Sequence, residues 1–293
     1  MPKCFERYKL VHVEATLIAD KGVRVPTTLI AGESACTSVL CMLEMYRSLK
    51  NDFTLLDRKA VFALVYAAIG LSCIYYLKNP EFLADILSNT RFEHFGNYVA
   101  HSESNNLPPL GYWVVVVTIF YFVIPAAVIK LSYRENLGDY GLRLSIEKGF
   151  WKLFALCSVV ILPLVYWMSL TSSFAAKYPF FQVYNGDPYL SSAFFVWESI
   201  YFAQFFGLEF FFRGFLVHSL KPAFGIYSIF IMTVPYCMIH FGKPPAETFA
   251  AIFAGVFLGW LSLKNGSIWL GLALHCTVAF TMDVFALYNK GLL

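Results

Sequence analysis

The stretch FGLEFFFRGFLVHSL, residues 206–220, places Glu209 and Arg213 inside an otherwise unbroken aromatic and aliphatic run. Residues four positions apart lie on one face of a helix, within reach of an ion pair. A charged side chain near the centre of a bilayer costs a few kcal/mol, so such residues usually face a protein interior or a wet cavity and mark function. The stretch therefore predicts a membrane helix that carries either a functional polar site or an ion pair locking two helices together.

The composition of the whole chain agrees with a membrane protein. Of 293 residues, 58% are hydrophobic and 14% charged, against roughly 45–50% and about 25% in soluble domains. The mean hydropathy is +0.61. These values predict an all-α, polytopic transmembrane helix bundle, and the small net charge of +3 argues against a nucleic-acid partner. The seven cysteines contain no CxxC pair, which indicates core residues rather than a disulfide or zinc framework.

Apolar runs of about 20 residues, the length that crosses roughly 30 Å of hydrocarbon, predict about seven spans, one of them broken or re-entrant. The runs are 60–77, 110–131, 150–170, 190–212, 223–241, 247–263 and 267–287.

Three regions follow from these runs. Residues 1–58 form an N-terminal cytoplasmic or interfacial region without recognisable chemistry or a removable signal peptide, residues 59–189 hold the first three spans, and residues 190–293 hold the remaining polar positions. Basic residues cluster before the first span and around the loop between the second and third. The positive-inside tendency then places the N-terminus in the cytoplasm.

Further polar residues interrupt the C-terminal runs. His240 precedes a Gly-Lys-Pro-Pro turn, Glu247 opens the next helix where the helix dipole favours an acid, and His275 and Asp283 share the last run. The set Glu209, His240 and His275 comes from three spans. A carboxylate beside two imidazoles suits peptide hydrolysis, with the acid as base for water and a histidine stabilising the oxyanion. The same three residues could instead bind a divalent metal such as zinc.

The expected depths of the polar residues in the membrane differ from one run to the next. Glu198 and His218 are expected at the membrane interface. With strictly alternating spans, Glu209 and His240 fall late in their runs and His275 falls partway along its run. Either the span edges are shifted or the region between Glu209 and His240 contains irregular backbone facing a cavity.

Three motifs carry a resemblance to a known family. EFFFRGFL (209–216), MIHFGKP (238–244) and SIWLGLALH (267–275) resemble the CPBP intramembrane proteases, the family of CAAX prenyl endopeptidases and bacteriocin-processing or Abi proteins. The resemblance covers roughly residues 190–287, which makes 190–293 a CPBP-like protease core. ENLGDYGLRL (135–144) is similar to the segment that often precedes that core.

The resemblance implies roles for individual residues. The family pattern is EExxxR, FxxxH and HxxxN or HxxxD, in which an acid activates water, the arginine braces the acids, and the remaining polar groups hold water and oxyanion. It assigns Glu209, His240 and His275 to catalysis and Arg213 to their support, with Asp283 as the nearby substitute for the last polar residue. Glu247 is a further supporting candidate from its position alone, and helix capping explains it equally well.

Three positions depart from that pattern. Leu208 stands where the first acid is expected, Tyr236 replaces the phenylalanine, and Ala279 replaces the last polar residue, with Asp283 one turn later.

Three functions remain open on these residues. The first is an endopeptidase that acts on a membrane-associated or lipidated protein, similar to a myxosortase-like subgroup that uses a single glutamate. No cofactor is expected for this chain, with zinc as the alternative given above. The second is an inactive pseudoprotease that serves as a membrane scaffold, and the third is a small transporter, although no inverted repeat is found. The expected location is the inner membrane of a bacterium, with the bilayer and a protein or peptide substrate as partners.

Overall fold

A computed structural model describes residues 42, 45–47, 56–143 and 149–293 of the chain. The chain divides into two compact units, 1–57 and 58–293. The expectations for the N-terminal region concern the first unit and lie almost entirely outside the described residues. The helices numbered below all belong to the second unit.

The described part of the second unit is helical and contains no strand. Its helices are α1 (Arg58–Leu77), α2 (Pro80–Leu87), α3 (Glu93–Ala100), α4 (Leu107–Tyr133), α5 (Phe150–Ser169), α6 (Ser172–Lys177), α7 (Ser192–Phe224), α8 (Tyr227–Met238), α9 (Pro245–Asn265) and α10 (Trp269–Asn289). A short 3₁₀ helix, Leu137–Tyr140, lies between α4 and α5.

Six of the described helices are long and apolar enough to cross a membrane: α1, α4, α5, α7, α9 and α10. They confirm the predicted polytopic helix bundle. The seventh apolar run forms only α8, which has 12 residues and therefore rises about 18 Å, well short of a bilayer's hydrocarbon layer. A turn without regular helix, residues 239–244, follows α8, and this is the broken segment that the sequence predicts.

Helix α7 is longer than predicted. The expected end at residue 212 is wrong, because the helix continues to Phe224 and has 33 residues. Its middle section, Phe210–Leu216, is π-helical. Glu209 therefore lies near the middle of a continuous helix, and the shifted span edge explains why the expected depths of the site residues disagreed.

One end of the bundle is tied together by the segment after α4. Glu135 forms an ion pair with Lys59 of α1 and accepts a hydrogen bond of 2.5 Å from the hydroxyl of Tyr140. The backbone N–H of Ile268 donates to the carbonyl of Gly141 at 3.1 Å. Gly141 has φ of +90°, and any side chain there would collide with Ile268, so glycine is required where this segment meets the start of α10.

Helix α7 forms the centre of the bundle because residues 204–220 are almost all buried. The π-helical residues pack in an aromatic cluster with α1 and α4, in which Phe211 stacks on Tyr121 with ring centroids 5.0 Å apart. The first half of α7 packs against α4 and α10. The buried charged residues of α7, among them Glu209 and Arg213, consequently face other helices rather than lipid.

Candidate active site

Glu209 lies at the junction of the α-helical and π-helical parts of α7 and is fully buried, with 0% exposure. Its Oε1 forms an ion pair with Nη1 of Arg213 at 3.3 Å and lies 2.6 Å from Nδ1 of His275 on α10. A buried carboxylate is tolerated only when its charge is compensated. Arg213 and His275 provide that compensation, and the sequence-predicted pair of Glu209 and His275 is brought into direct contact.

The contact between α7 and α10 depends on Gly271, one turn before His275. A Cβ at position 271 would lie 3.0 Å from Cδ of Glu209 and closer still to its Oε2. Real Cβ atoms essentially never approach other atoms so closely. The missing side chain therefore makes the space that the carboxylate occupies.

Tyr236 of α8 connects the two histidines and the arginine. Its hydroxyl lies 3.1 Å from Nε2 of His275, and its main-chain carbonyl lies 2.8 Å from Nδ1 of His240. Cζ of Arg213 lies 3.8 Å from the centroid of its ring, within the range of a cation–π interaction. The second predicted histidine thus reaches the cluster through Tyr236 rather than through Glu209.

The turn that carries His240 is held by the start of α9. The hydroxyl of Thr248 donates to the carbonyl of His240 at 2.9 Å, and the N–H of Lys243 donates to the same carbonyl at 3.1 Å. These hydrogen bonds satisfy the carbonyl of His240, which lies beyond the end of α8 and has no partner within that helix. The turn is therefore ordered although its backbone is irregular.

The π-helical segment gives Arg213 a second support. The hydroxyl of Ser262 on α9 donates to the carbonyl of Arg213 at 2.8 Å, and Nε2 of His218 lies 3.1 Å from the same hydroxyl. π-helical turns occur mainly as short insertions at functional sites. His218, which is expected at the membrane interface, has its ring directed towards Ser262 of α9.

Glu247 belongs to a different group of side chains. Its Oε2 accepts a 2.7 Å hydrogen bond from the hydroxyl of Tyr178, and its Oε1 pairs with Lys243 at 2.6 Å. Burial, reinforced by the Glu247 carboxylate, raises the pKa of Tyr178 well above its usual range. Glu247 is near the first turn of α9, as expected, but the structure does not bring it into contact with Glu209.

Asp283 is also held apart from the cluster. Its Oδ2 accepts a 3.1 Å hydrogen bond from Nε1 of Trp197, and Glu198 lies beside it. Glu198, which is expected at the membrane interface, is buried between α7 and α10 with 4% exposure. Since the two helices run antiparallel, this acidic pair sits far along them from Glu209 and His275.

Two of the positions that depart from the family pattern, Leu208 and Ala279, also have apolar surroundings in the structure. Leu208 is buried in the aromatic cluster of the π-helical segment, and Ala279 packs with Phe205 and other aromatic residues. Neither position offers a polar group to the cluster.

The three predicted metal ligands do not assemble as a metal site. Within the described residues, no three histidine, cysteine or acidic side chains converge in a metal-binding group. Nδ1 of His275 faces Glu209 and its Nε2 faces Tyr236, so neither nitrogen is directed at an ion shared with His240. The donor set therefore does not fit zinc in this arrangement.

The fold and the cluster together define an integral membrane protein with a buried carboxylate–imidazole centre. Residues 190–281 match the model of the family described as Rce1-like, type II CAAX prenyl endopeptidase. This match confirms the resemblance to CPBP proteases for that part of the chain, and it includes every residue of the cluster but not Asp283. No curated protein matches the chain, and no solved structure does.

Sequence reasoning missed the roles of Tyr236 and Gly271. Tyr236 could have been found from the sequence, because a tyrosine stands where the family pattern has a phenylalanine, one turn before His240. The added hydroxyl is a polar group next to a predicted site residue. The role of Gly271 could not be found from the sequence, since the approach of Glu209 to its backbone depends on how two helices far apart in the chain pack together.

Proposed function

We propose that the protein is an intramembrane endopeptidase that hydrolyses a peptide bond in a membrane-associated or lipidated protein. The observation that carries the proposal is the contact of Glu209 with both Arg213 and His275 within a segment that matches a protease family. Costly buried charges in a membrane helix are usually functional.

In the proposed reaction, the oxygen of a water molecule attacks the carbonyl carbon of the scissile bond. Glu209 is fully buried, whereas the His275 side chain is 17% exposed, so the water's proton is taken up by the Glu209–His275 pair acting together. The proton passes to the leaving amine nitrogen as the C–N bond breaks. Nε2 of His240 holds the attacking water by accepting a hydrogen bond from it, and Arg213 balances the charge of the Glu209 carboxylate.

The proposal rests on these side chains alone, without a cofactor. The expected setting is the inner membrane of a bacterium with the N-terminus in the cytoplasm. Metal analysis of the purified protein, with and without a chelator, tests the cofactor part of this proposal.

A catalytically inactive scaffold is the second candidate. Leu208 and Ala279 are both buried among apolar side chains, so two polar positions of the family pattern are missing in space as well as in sequence. On this alternative, the buried ion pair holds helices together and the protein binds a protein or lipidated partner without cleaving it.

The deciding experiment compares the membrane-anchored proteins of cells that carry the wild type, Glu209→Gln or His275→Ala. We expect processed forms of at least one protein to disappear in both variants while the variant proteins remain folded in membranes. Glu103→Gln, at an exposed position, serves as the control and should leave processing intact.

The alternatives give different results. Unchanged processing in Glu209→Gln would end the protease proposal, and new activity in Leu208→Glu would support the scaffold. Solute flux in proteoliposomes, which neither alternative predicts, would instead indicate a transporter.

A further inference from the structure

Tyr236 has more contacts in the cluster than the proposed reaction requires. It is 1% exposed, and it touches three functional groups through three different parts of the residue. Its hydroxyl meets Nε2 of His275, its carbonyl meets Nδ1 of His240, and its ring face meets the guanidinium of Arg213. The Arg213 side chain also forms a hydrogen bond with the hydroxyl. The contacts with His275 and Arg213 therefore involve the hydroxyl, whereas the contact with His240 does not.

The contacts determine which nitrogen of each ring carries the proton. A carboxylate and a backbone carbonyl accept hydrogen bonds but do not donate them. Nδ1 of His275 lies 2.6 Å from Oε1 of Glu209, and a nitrogen lone pair at that distance would be repelled, so this nitrogen carries hydrogen. Nδ1 of His240 must likewise donate to the carbonyl of Tyr236.

When a ring is neutral, the nitrogen opposite the one that carries hydrogen is an acceptor. Nε2 of His275 accepts a hydrogen bond from the hydroxyl of Tyr236 at 3.1 Å, which stabilises the form with hydrogen on Nδ1. Nε2 of His240 remains for the reacting groups. The partner of one ring nitrogen decides the chemistry of the other.

We propose that Tyr236 is a positioning residue that sets the tautomers of both histidines, through its hydroxyl for His275 and through its main-chain carbonyl for His240. Its effect on the rate of cleavage rests on the proposed function, whereas its effect on the tautomers does not. The hydroxyl supplies a polar partner to His275 in a chain whose residue 279, one turn further along α10, is alanine.

The first test observes the rings directly. The full-length protein, labelled with ¹⁵N at its six histidines, is placed in lipid nanodiscs, and the imidazole nitrogens are recorded by NMR and assigned with His240→Gln and His275→Gln. We expect both rings to be Nδ1–H tautomers in the wild type. Tyr236→Phe should shift the nitrogens of His275, through loss of the hydroxyl, and leave those of His240 in place.

Two results would overturn the proposal: hydrogen on Nε2 of either histidine in the wild type, or nitrogens of His275 that are the same in Tyr236→Phe. The unchanged signals of His240 report that the variant is folded. Tyr121→Phe is the matched control, because Tyr121 is a buried ring with 4% exposure in the same aromatic cluster and touches neither histidine.

The second test uses a cleaved protein found in the proteome comparison. Removing the partner that orients a working histidine costs on the order of 10- to 100-fold in metalloenzymes, and we expect a loss of that size in kcat for Tyr236→Phe, with KM unchanged. A change confined to KM, or none, would refute the link to rate. If the tautomer shift occurs but Glu209→Gln still cleaves, the proposed reaction through Glu209 fails while the positioning role stands.

Discussion

The carboxylate of Glu209 lies against the bare α-carbon of Gly271, so the acid of the cluster occupies the space that a side chain on α10 would fill. The two residues are 62 positions apart in the sequence. Their contact sets how closely α7 and α10 approach, and it brings His275, one turn beyond Gly271, within reach of the carboxylate.

Gly271→Ala is therefore expected to displace Glu209. A methyl group forced into a packed site costs about 1–3 kcal/mol, and cleavage should fall with the loss of the contact between Glu209 and His275. Thermal unfolding in detergent and the processing assay measure the two effects. Gly111→Ala is the control, because a Cβ at that helical position meets nothing within 4 Å, and equal behaviour of the two variants would contradict the expectation.

Arg213 should be needed mainly to neutralise Glu209. Arg213→Met leaves a buried carboxylate without its cation, which costs about 3–5 kcal/mol. The double variant Arg213→Met with Glu209→Gln should be more stable than Arg213→Met alone, since the uncompensated charge is gone. A double-mutant cycle on unfolding free energies in detergent measures this coupling, and strictly additive effects would show that the pair is not coupled.

Ser262 is expected to stabilise the π-helical segment. Ser262→Ala removes the hydroxyl that donates to the buried carbonyl of Arg213, and the loss of such a hydrogen bond costs about 0.5–1.5 kcal/mol. Ser199→Ala provides the comparison, since the hydroxyl of Ser199 is exposed and bonds only within its own helix. We expect the unfolding temperature to fall clearly in Ser262→Ala alone, and a similar fall in both variants would count against this role.

Glu135 should make the stability depend on acid pH. Hydrogen bonds from Lys59 and Tyr140 lower the pKa of Glu135 below its ordinary value of 4.5. Because the folded pKa is the lower one, the stabilisation is present above the ordinary value and is lost as the pH falls through the folded pKa. The effect should be modest, since the carboxylate is about one-third exposed.

The measurement compares the unfolding temperature of the wild type with that of Glu135→Gln between pH 3 and pH 7. The advantage of the wild type should shrink towards the acid end. The exposed control Glu103→Gln should follow the wild type throughout, and a constant difference between wild type and Glu135→Gln would refute the expectation.

Apolar length predicted the fold well, because six runs of sufficient length do form helices that can cross a membrane. The end of α7 could not be predicted in this way. His218, Ser219 and Lys221 lower the local hydropathy, so the run seemed to end before them. In the folded chain Ser219 is fully buried and His218 meets Ser262, which are tertiary contacts that a hydropathy pattern does not contain.

The candidate site was predicted in its residue types but only partly in its geometry. The spacing of Glu209 and Arg213 indicated their ion pair, because that contact is local to one helix. The position of Asp283 beside Glu198 and Trp197 was not foreseen, since it requires the antiparallel register of α7 and α10. Sequence spacing along α10 could not show that its two polar residues belong to separate clusters.

The π-helical segment of α7 has a consequence for insertions and deletions. Each residue of an α-helix turns the chain by 100°, and a π-helical insertion absorbs one additional residue without breaking the helix. Glu209 on one side of it faces α10, while the residues after it pack against α1 and α9. The segment thus rotates the second α-helical part of α7 about the helix axis relative to the first. Removing one residue from 210–216 would return α7 to a single helical phase, in which only one of these two sets of neighbours could be kept.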